Sequence, residues 1–132
     1  MRYRAGLKRR KGAAAVEMAL VTPFLLTMLF GIIEYGWIFT VRQSLIQAAR
    51  EGARVAILPG TEDEEIVARV NQFLAPLGIT SHSINMTRAT DADPTETVSV
   101  VVPYGDVTLI GEYFGSTDRD LGATCSMRKE GL

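Results

Sequence analysis

The first long pattern in the chain is an apolar run near the N-terminus. Residues 13–33 contain a single charged side chain, Glu17, in 21 positions. As a helix with a rise of about 1.5 Å per residue, this run would be about 30 Å long, which matches the hydrocarbon core of a bilayer. Its apolar side chains surround the helix, whereas a surface helix of a soluble domain has one apolar face. The pattern therefore predicts one membrane-spanning helix.

Two other kinds of segment share this pattern. A cleaved secretory signal also has a basic region before an apolar one, but its small-residue cleavage site follows the apolar region. Here Ala13, Ala14 and Ala15 precede it. A buried core helix of a soluble protein is the second alternative, and the length of the run disfavours it.

The helical pattern continues beyond the apolar run. In residues 40–57, apolar and small residues recur at spacings of three and four, with polar residues between them. Ala48, Gly52 and Ala56 form a stripe of small side chains that lets another backbone approach closely. That backbone belongs either to the protein's own sheet or to a partner subunit. Gly52 costs about 1 kcal/mol relative to alanine inside a helix, and close contact would compensate for this loss.

The rest of the pattern predicts a small α+β domain. A leucine, a proline and a glycine at 58–60 end the first helix. A second helix is predicted over about 62–75, with Thr61 and Glu64 as a capping box at its start. Three segments then have the composition of strands. We expect an α+β fold with a long N-terminal helix, a second helix and an antiparallel sheet of about three strands, at 82–89, 95–104 and 121–129.

Charge gives the span a direction. Of the 14 basic residues, six lie within residues 1–12, and all 15 acidic residues lie beyond them. The positive-inside rule therefore places the N-terminus in the cytoplasm, with Tyr35, Trp37 and Phe39 near the far membrane interface. Because the body of the chain is acidic, we expect no nucleic-acid partner.

Candidate chemistry is sparse. His82 is the only histidine and Cys125 the only cysteine, so we expect neither a multi-histidine metal site nor an intrachain disulfide. His82 is predicted to lie at the surface near a strand start, and Cys125 to be buried on the last strand. No nucleophile motif or phosphate-binding loop occurs in the sequence. We therefore expect no catalytic residues, no metal site, no cofactor and no enzymatic activity.

Glu17 is unusual in an apolar run. A carboxylate well inside hydrocarbon costs on the order of 3 kcal/mol, and less near the membrane edge. Glu17 either reaches the interface beside the basic flank or pairs with a cation in an assembly. Cleavage after Gly12 would supply that cation, because the new amino group at Ala13 lies four residues before Glu17.

Residues 12–54 resemble the TadE family of minor pilins, or pseudopilins, of the tight-adherence branch of type IV pili. The basic leader, Gly12, four small or apolar residues and Glu17 are similar to the cleavage motif of prepilin peptidase, and "AAREGAR" at 48–54 is typical of the family. The resemblance implies that Gly12 ends the leader and Ala13 begins the mature chain. It also implies that Glu17 is needed for processing or for entry into the fibre.

Two residues modify this resemblance. Met18 belongs to the same processing site but stands where the family usually has an aromatic residue, which weakens the match to the peptidase motif. Pro23 agrees with the family, and it should bend the helix because proline removes an amide donor. Pro23 therefore joins Ala48, Gly52 and Ala56 as a residue expected to shape helix packing.

The resemblance implies a basic leader at 1–12, a TadE-like transmembrane and extended helix at 13–57, and a periplasmic α+β domain at 58–132. The implied function is that of a minor pilin, cleaved by prepilin peptidase and required to assemble a tight-adherence pilus for surface attachment. Its partners would be inner-membrane lipid, prepilin peptidase, other pilin subunits and the assembly machinery.

Two other functions stay open. One is an inner-membrane scaffold or adaptor of the pilus machinery that never polymerises. The other is a tethered periplasmic domain that binds a ligand or catalyses a reaction, which would need a polar pocket in residues 79–132.

Overall fold

A computed structural model describes residues 5–111 and 119–129 of the chain. The first helix, α1, is Ala5–Ala56, and α2 is Asp63–Leu74, followed by one 3-10 turn, Ala75–Leu77. The strands are β1, Ser83–Thr87, β2, Thr95–Pro103, and β3, Asp120–Arg128, with the short helix α3, Tyr104–Val107, after β2. These elements confirm the predicted α+β class and its three antiparallel strands.

The chain forms two compact units, one that ends at Tyr35 and one that begins at Gly36. In the first unit, every side chain from residue 12 to residue 33 is exposed. Gly12–Ala56 is long and apolar enough to cross a membrane, and no part of its most apolar stretch is buried. A core helix of a soluble protein would be buried, so this exposure argues against that alternative. The segment indicates single-pass membrane anchoring.

The second unit has β2 at the centre of its sheet, with the order β1-β2-β3. Val100 pairs with Ile84 of β1 and with Ala123 of β3. Successive side chains of a strand point to opposite faces. In β2 the residues Val98, Val100 and Val102 are buried, while the residues between them are only half-buried.

One core joins both helices to this sheet. Its fully buried members are Val41, Leu45, Ala48, Ala49 and Ala53 of α1, Ile66, Val70 and Leu74 of α2, and Val100 and Val102 of β2. The predicted exterior domain begins at residue 58. In the structure, residues 36–56 belong to the same compact unit as the sheet because they supply one layer of its core.

The small side chains of α1 face the protein's own elements. A Cβ atom built on Gly52 would lie 2.8 Å from Val70 Cγ2, 3.2 Å from Val98 Cγ1 and 3.6 Å from Ile66 Cγ2. Ala48 and Ala56, one turn to either side, are also buried. The stripe of small side chains therefore packs against α2 and β2 of the same chain.

The start of α2 differs from the prediction. The capping box of Thr61 and Glu64 is wrong, because the residue at the N-cap is Glu62 and its side chain makes no capping hydrogen bond. The backbone carbonyl of Thr61 instead accepts a hydrogen bond from Arg88 Nη2 at 2.8 Å. Arg88 follows β1 in the chain, so a tertiary contact holds the backbone just before α2, although it does not cap the amides of that helix.

The packing at Gly52 gives a stability prediction. Gly52→Leu should lower the free energy of unfolding by about 3 kcal/mol, because the larger side chain overlaps Val70 and Val98. In thermal unfolding followed by circular dichroism in detergent, the midpoint should fall by about 10 °C or more.

Gly36→Leu is the matched control, because a Cβ atom at Gly36 of the same helix meets nothing within 4 Å. Its unfolding midpoint should stay close to that of the unchanged protein. Equal midpoints for the two variants would contradict the close contact at Gly52.

Candidate functional site

The predicted processing site lies at the start of the exposed stem, which we define as residues 12–33. Gly12, Ala13, Glu17 and Met18 are all exposed on α1. Glu17 makes no hydrogen bond or ion pair with any residue of the described part of the chain. Positions 13 and 17 are about one helical turn apart, with a rise of about 6 Å between them. A cation at position 13 would therefore lie beside the carboxylate of Glu17 in its own or a neighbouring helix.

The other polar groups of the stem are satisfied within the helix. Thr22 Oγ1 donates to the carbonyl of Met18 at 2.7 Å, and Thr27 Oγ1 donates to the carbonyl of Pro23 at 2.9 Å. Such bonds let a hydroxyl sit in an apolar environment without an external partner. Glu17 thus differs from the threonines in needing a partner outside its own turn. Pro23 lies inside α1, and a bend there stays a prediction.

The aromatic residues after the stem do not share one environment. Tyr35 is 83% exposed and Phe39 61% exposed, whereas Trp37 packs against the core. Trp37 Nε1 donates a hydrogen bond of 2.7 Å to the carbonyl of Val107. The prediction of an interfacial Trp37 missed this role, because nothing in the local pattern identifies a partner 70 residues away.

A shallow cavity of about 350 Å³ opens at one end of the sheet. It is lined by Ser81, His82, Ser83, Val101, Pro103 and Asp120. His82 Nε2 lies 2.6 Å from Asn71 Oδ1, and its Nδ1 is buried without a hydrogen-bond partner among the described residues. Because an amide oxygen only accepts, Nε2 is the donor in this contact.

These contacts link His82 to α2. In the described ranges, 5–111 and 119–129, no group of three or more His, Cys, Asp or Glu side chains could hold a metal ion. If the protein were a tethered domain that binds a ligand or catalyses a reaction, this cavity is where the ligand would bind.

Cys125, on β3, is half-buried against the core.

A buried carboxylate was missed by the sequence analysis. Glu96 of β2 is 2% exposed, and it lies on the valine-lined face of that strand. Its Oε1 is 3.2 Å from Lys129 Nζ and 3.7 Å from Arg88 Nη1. Arg88 Nε also donates to Asp63 Oδ1 at 2.8 Å. The alternation along β2 could have shown Glu96 pointing inward, but its cations come from other segments.

The charged groups around Glu96 connect separate segments of the fold. Arg88 connects the start of α2 to β2, and Lys129 connects the end of β3 to the same carboxylate. A buried carboxylate is stable only when cations and hydrogen bonds replace its hydration. Glu96 therefore holds three segments together where the apolar core ends.

Comparison with known proteins bears on the stem and on the helix that continues from it. Residues 12–54 match the model of the family described as TadE-like protein. The match confirms the resemblance over about a third of the chain and indicates a connection with the tight-adherence pilus system. Comparison with curated proteins and with solved structures gives no significant match.

Removing one of the two cations beside Glu96 should destabilise the fold. Arg88→Met should lower the free energy of unfolding by about 2 kcal/mol, less than a fully uncompensated buried charge would cost, because Lys129 remains. Chemical unfolding in detergent would measure this loss.

Arg128→Met is the control, since Arg128 is exposed and makes no side-chain hydrogen bond to a described residue. Its unfolding free energy should change by less than about 0.5 kcal/mol. If Arg88→Met were equally harmless, the cluster would not stabilise the fold.

Proposed function

We propose that the protein is a minor pilin of a tight-adherence pilus. It is made as a membrane precursor with its N-terminus in the cytoplasm and the unit from Gly36 onward in the periplasm. Prepilin peptidase cleaves it after Gly12, and the stem then passes from lipid into a bundle with the stems of other pilin subunits. The role is one of assembly rather than of catalysis.

The single observation that carries this proposal is the exposed stem within the TadE-like match. Every side chain from residue 12 to residue 33 is exposed, and most are apolar. Such a surface is stable in lipid or against other apolar helices, and exchange between these two environments costs little because the contacts are alike. A subunit that leaves a membrane for a fibre needs this property.

Glu17 has a defined part in the proposed assembly. Its carboxylate is exposed in a stem whose threonine hydroxyls are bonded internally. An amino group at Ala13 of a neighbouring subunit would neutralise it, and this pair would form only after cleavage. Attraction between opposite charges is strong where water is excluded, so the pair would favour one axial alignment of neighbouring stems.

A second candidate function shares most of these features. A scaffold or adaptor that stays in the inner membrane would have the same anchor and the same exterior unit. The two functions differ in where the protein is found, since a subunit occurs in sheared extracellular fibres and a scaffold only in the membrane fraction. Immunoblotting of both fractions separates them.

Processing gives the first test of the proposal. Mass spectrometry of the protein expressed together with prepilin peptidase should find a mature N-terminus at Ala13. Gly12→Arg should keep the leader, because the residue before the cleaved bond no longer fits a small-residue site.

Gly31→Ala is the control, since a Cβ atom there meets nothing within 4 Å and the residue lies far along the stem. This variant should be cleaved normally. An uncut chain in the presence of active peptidase would leave only the anchor function.

The charge of Glu17 gives the second test. Glu17→Gln keeps the length of the side chain and removes its charge, so membrane insertion should be unchanged. The amount of assembled pilus should fall about tenfold or more, the effect of losing about 1.4 kcal/mol in the pairing step.

Thr27→Ala is suited as a control because the Thr27 hydroxyl bonds only to the Pro23 carbonyl in its own helix. Pilus assembly should survive that change. Normal pili from Glu17→Gln would remove Glu17 from the mechanism.

A further inference from the structure

The part of α1 in the second unit has an exposed side that the fold does not use. Gln43, Gln47, Arg50 and Arg54, which we call the arginine face, are all exposed. Their spacing of four, three and four places them on one side of the helix. The buried side of the same segment carries Val41, Leu45 and the small residues.

The arginine face is cationic and only weakly neutralised. Arg50 makes no ion pair with a described residue. Arg54 is 74% exposed and reaches Glu51 Oε1 only at 3.9 Å. The other oxygen of Glu51 lies 3.2 Å from Arg69 Nη2 of α2, so this carboxylate is shared.

The same unit carries surplus negative charge at the start of α2. Four consecutive acidic residues are exposed there: Glu62, Asp63, Glu64 and Glu65. Among the described residues, only Asp63 of these four has an ion-pair partner, which is Arg88. A helix N-terminus is equivalent to about half a positive charge. Compensation of that dipole thus explains a fraction of the four carboxylates. Glu62, Glu64 and Glu65, which we call the acidic end, are left as a negative surface.

From this complementarity we infer that the arginine face binds the acidic end of a second copy of the chain. Within one copy no ion pair joins the two surfaces in the described residues. Each copy presents both unlike surfaces, so the contact can repeat from one copy to the next. This inference rests on the proposed function, because exposed ion pairs are individually weak and packing of the stems must bring the copies together. The charges then set the register of neighbouring units.

A zero-length crosslinking experiment tests this contact in protein coexpressed with prepilin peptidase, because the proposed stem packing follows cleavage after Gly12. Arg50→Lys and Arg54→Lys keep the charge and introduce amines, which a carbodiimide couples to a touching carboxylate by forming an amide. Equal amounts of ¹⁴N- and ¹⁵N-labelled protein are mixed in detergent micelles before coupling. Mass spectrometry should find mixed-isotope peptides that join position 50 or 54 to the segment 62–65. These products should fall about fivefold or more in 1 M salt, where charges are screened beyond about 3 Å.

Two controls define the background. In the Arg54→Lys variant, the new amine and the carboxylate of Glu51, which lies one turn before it on α1, should couple with a single isotope. Arg128→Lys places a new amine on an exposed position at the end of β3, and it should give no mixed-isotope product with 62–65.

Each other result overturns the inference. Products with a single isotope would mean that the two surfaces meet within one copy. Oligomers trapped by glutaraldehyde without mixed-isotope products at 62–65 would leave the proposed stem packing intact and remove this contact. Absence of both oligomers and products would remove both. Loss of the products when phosphatidylglycerol is added at constant salt would assign the arginines to anionic lipid headgroups.

Discussion

The close approach of α1 to α2 and β2 at Gly52 is the contact on which the rest of the globular unit depends. A sheet of three strands has one apolar face, and that face must be covered to be stable. The covering layer comes from a helix that continues from the stem, and at Gly52 even a Cβ atom would lie 2.8 Å from Val70 Cγ2. One helix, α1, therefore supplies both the stem and a layer of the core.

This arrangement divides the helix by chemical environment. The stem carries exposed apolar side chains and one carboxylate, while the segment from Val41 to Ala56 has one buried side and one cationic side. In the proposed assembly, the stem would exchange lipid for neighbouring helices while the globular unit keeps its own core. The apolar surface of the stem and the core of the globular unit do not impose conflicting demands, because different residues of α1 supply them.

The charged residues also divide into a buried group and an exposed group. Glu96 is buried, and Arg88 and Lys129 hold it from separate segments. Arg50 and the acidic end stay at the surface and have no such partner in the described residues. Buried pairs fix the fold because breaking them leaves a charge without water, whereas exposed pairs are weak and serve recognition.

Local pattern was sufficient for the two long helices and the three strands, but it did not predict the short helix α3, Tyr104–Val107. The apolar run, the three-and-four spacing of α1 and the alternation along β2 each report a property of one segment, and the α+β class with its strands followed from them. The processing residues around Glu17 are likewise predicted from local pattern, because their signal is a short motif and one charge in an apolar context.

The tertiary structure decided which segments meet. Four sets of contacts join residues far apart in the chain: the packing of Gly52 on α2 and β2, the bond from Trp37 to Val107, the cations around Glu96, and the bond from Arg88 to the Thr61 carbonyl. Such contacts depend on how the elements pack in space, and the spacing of residues within one segment carries no information about that packing.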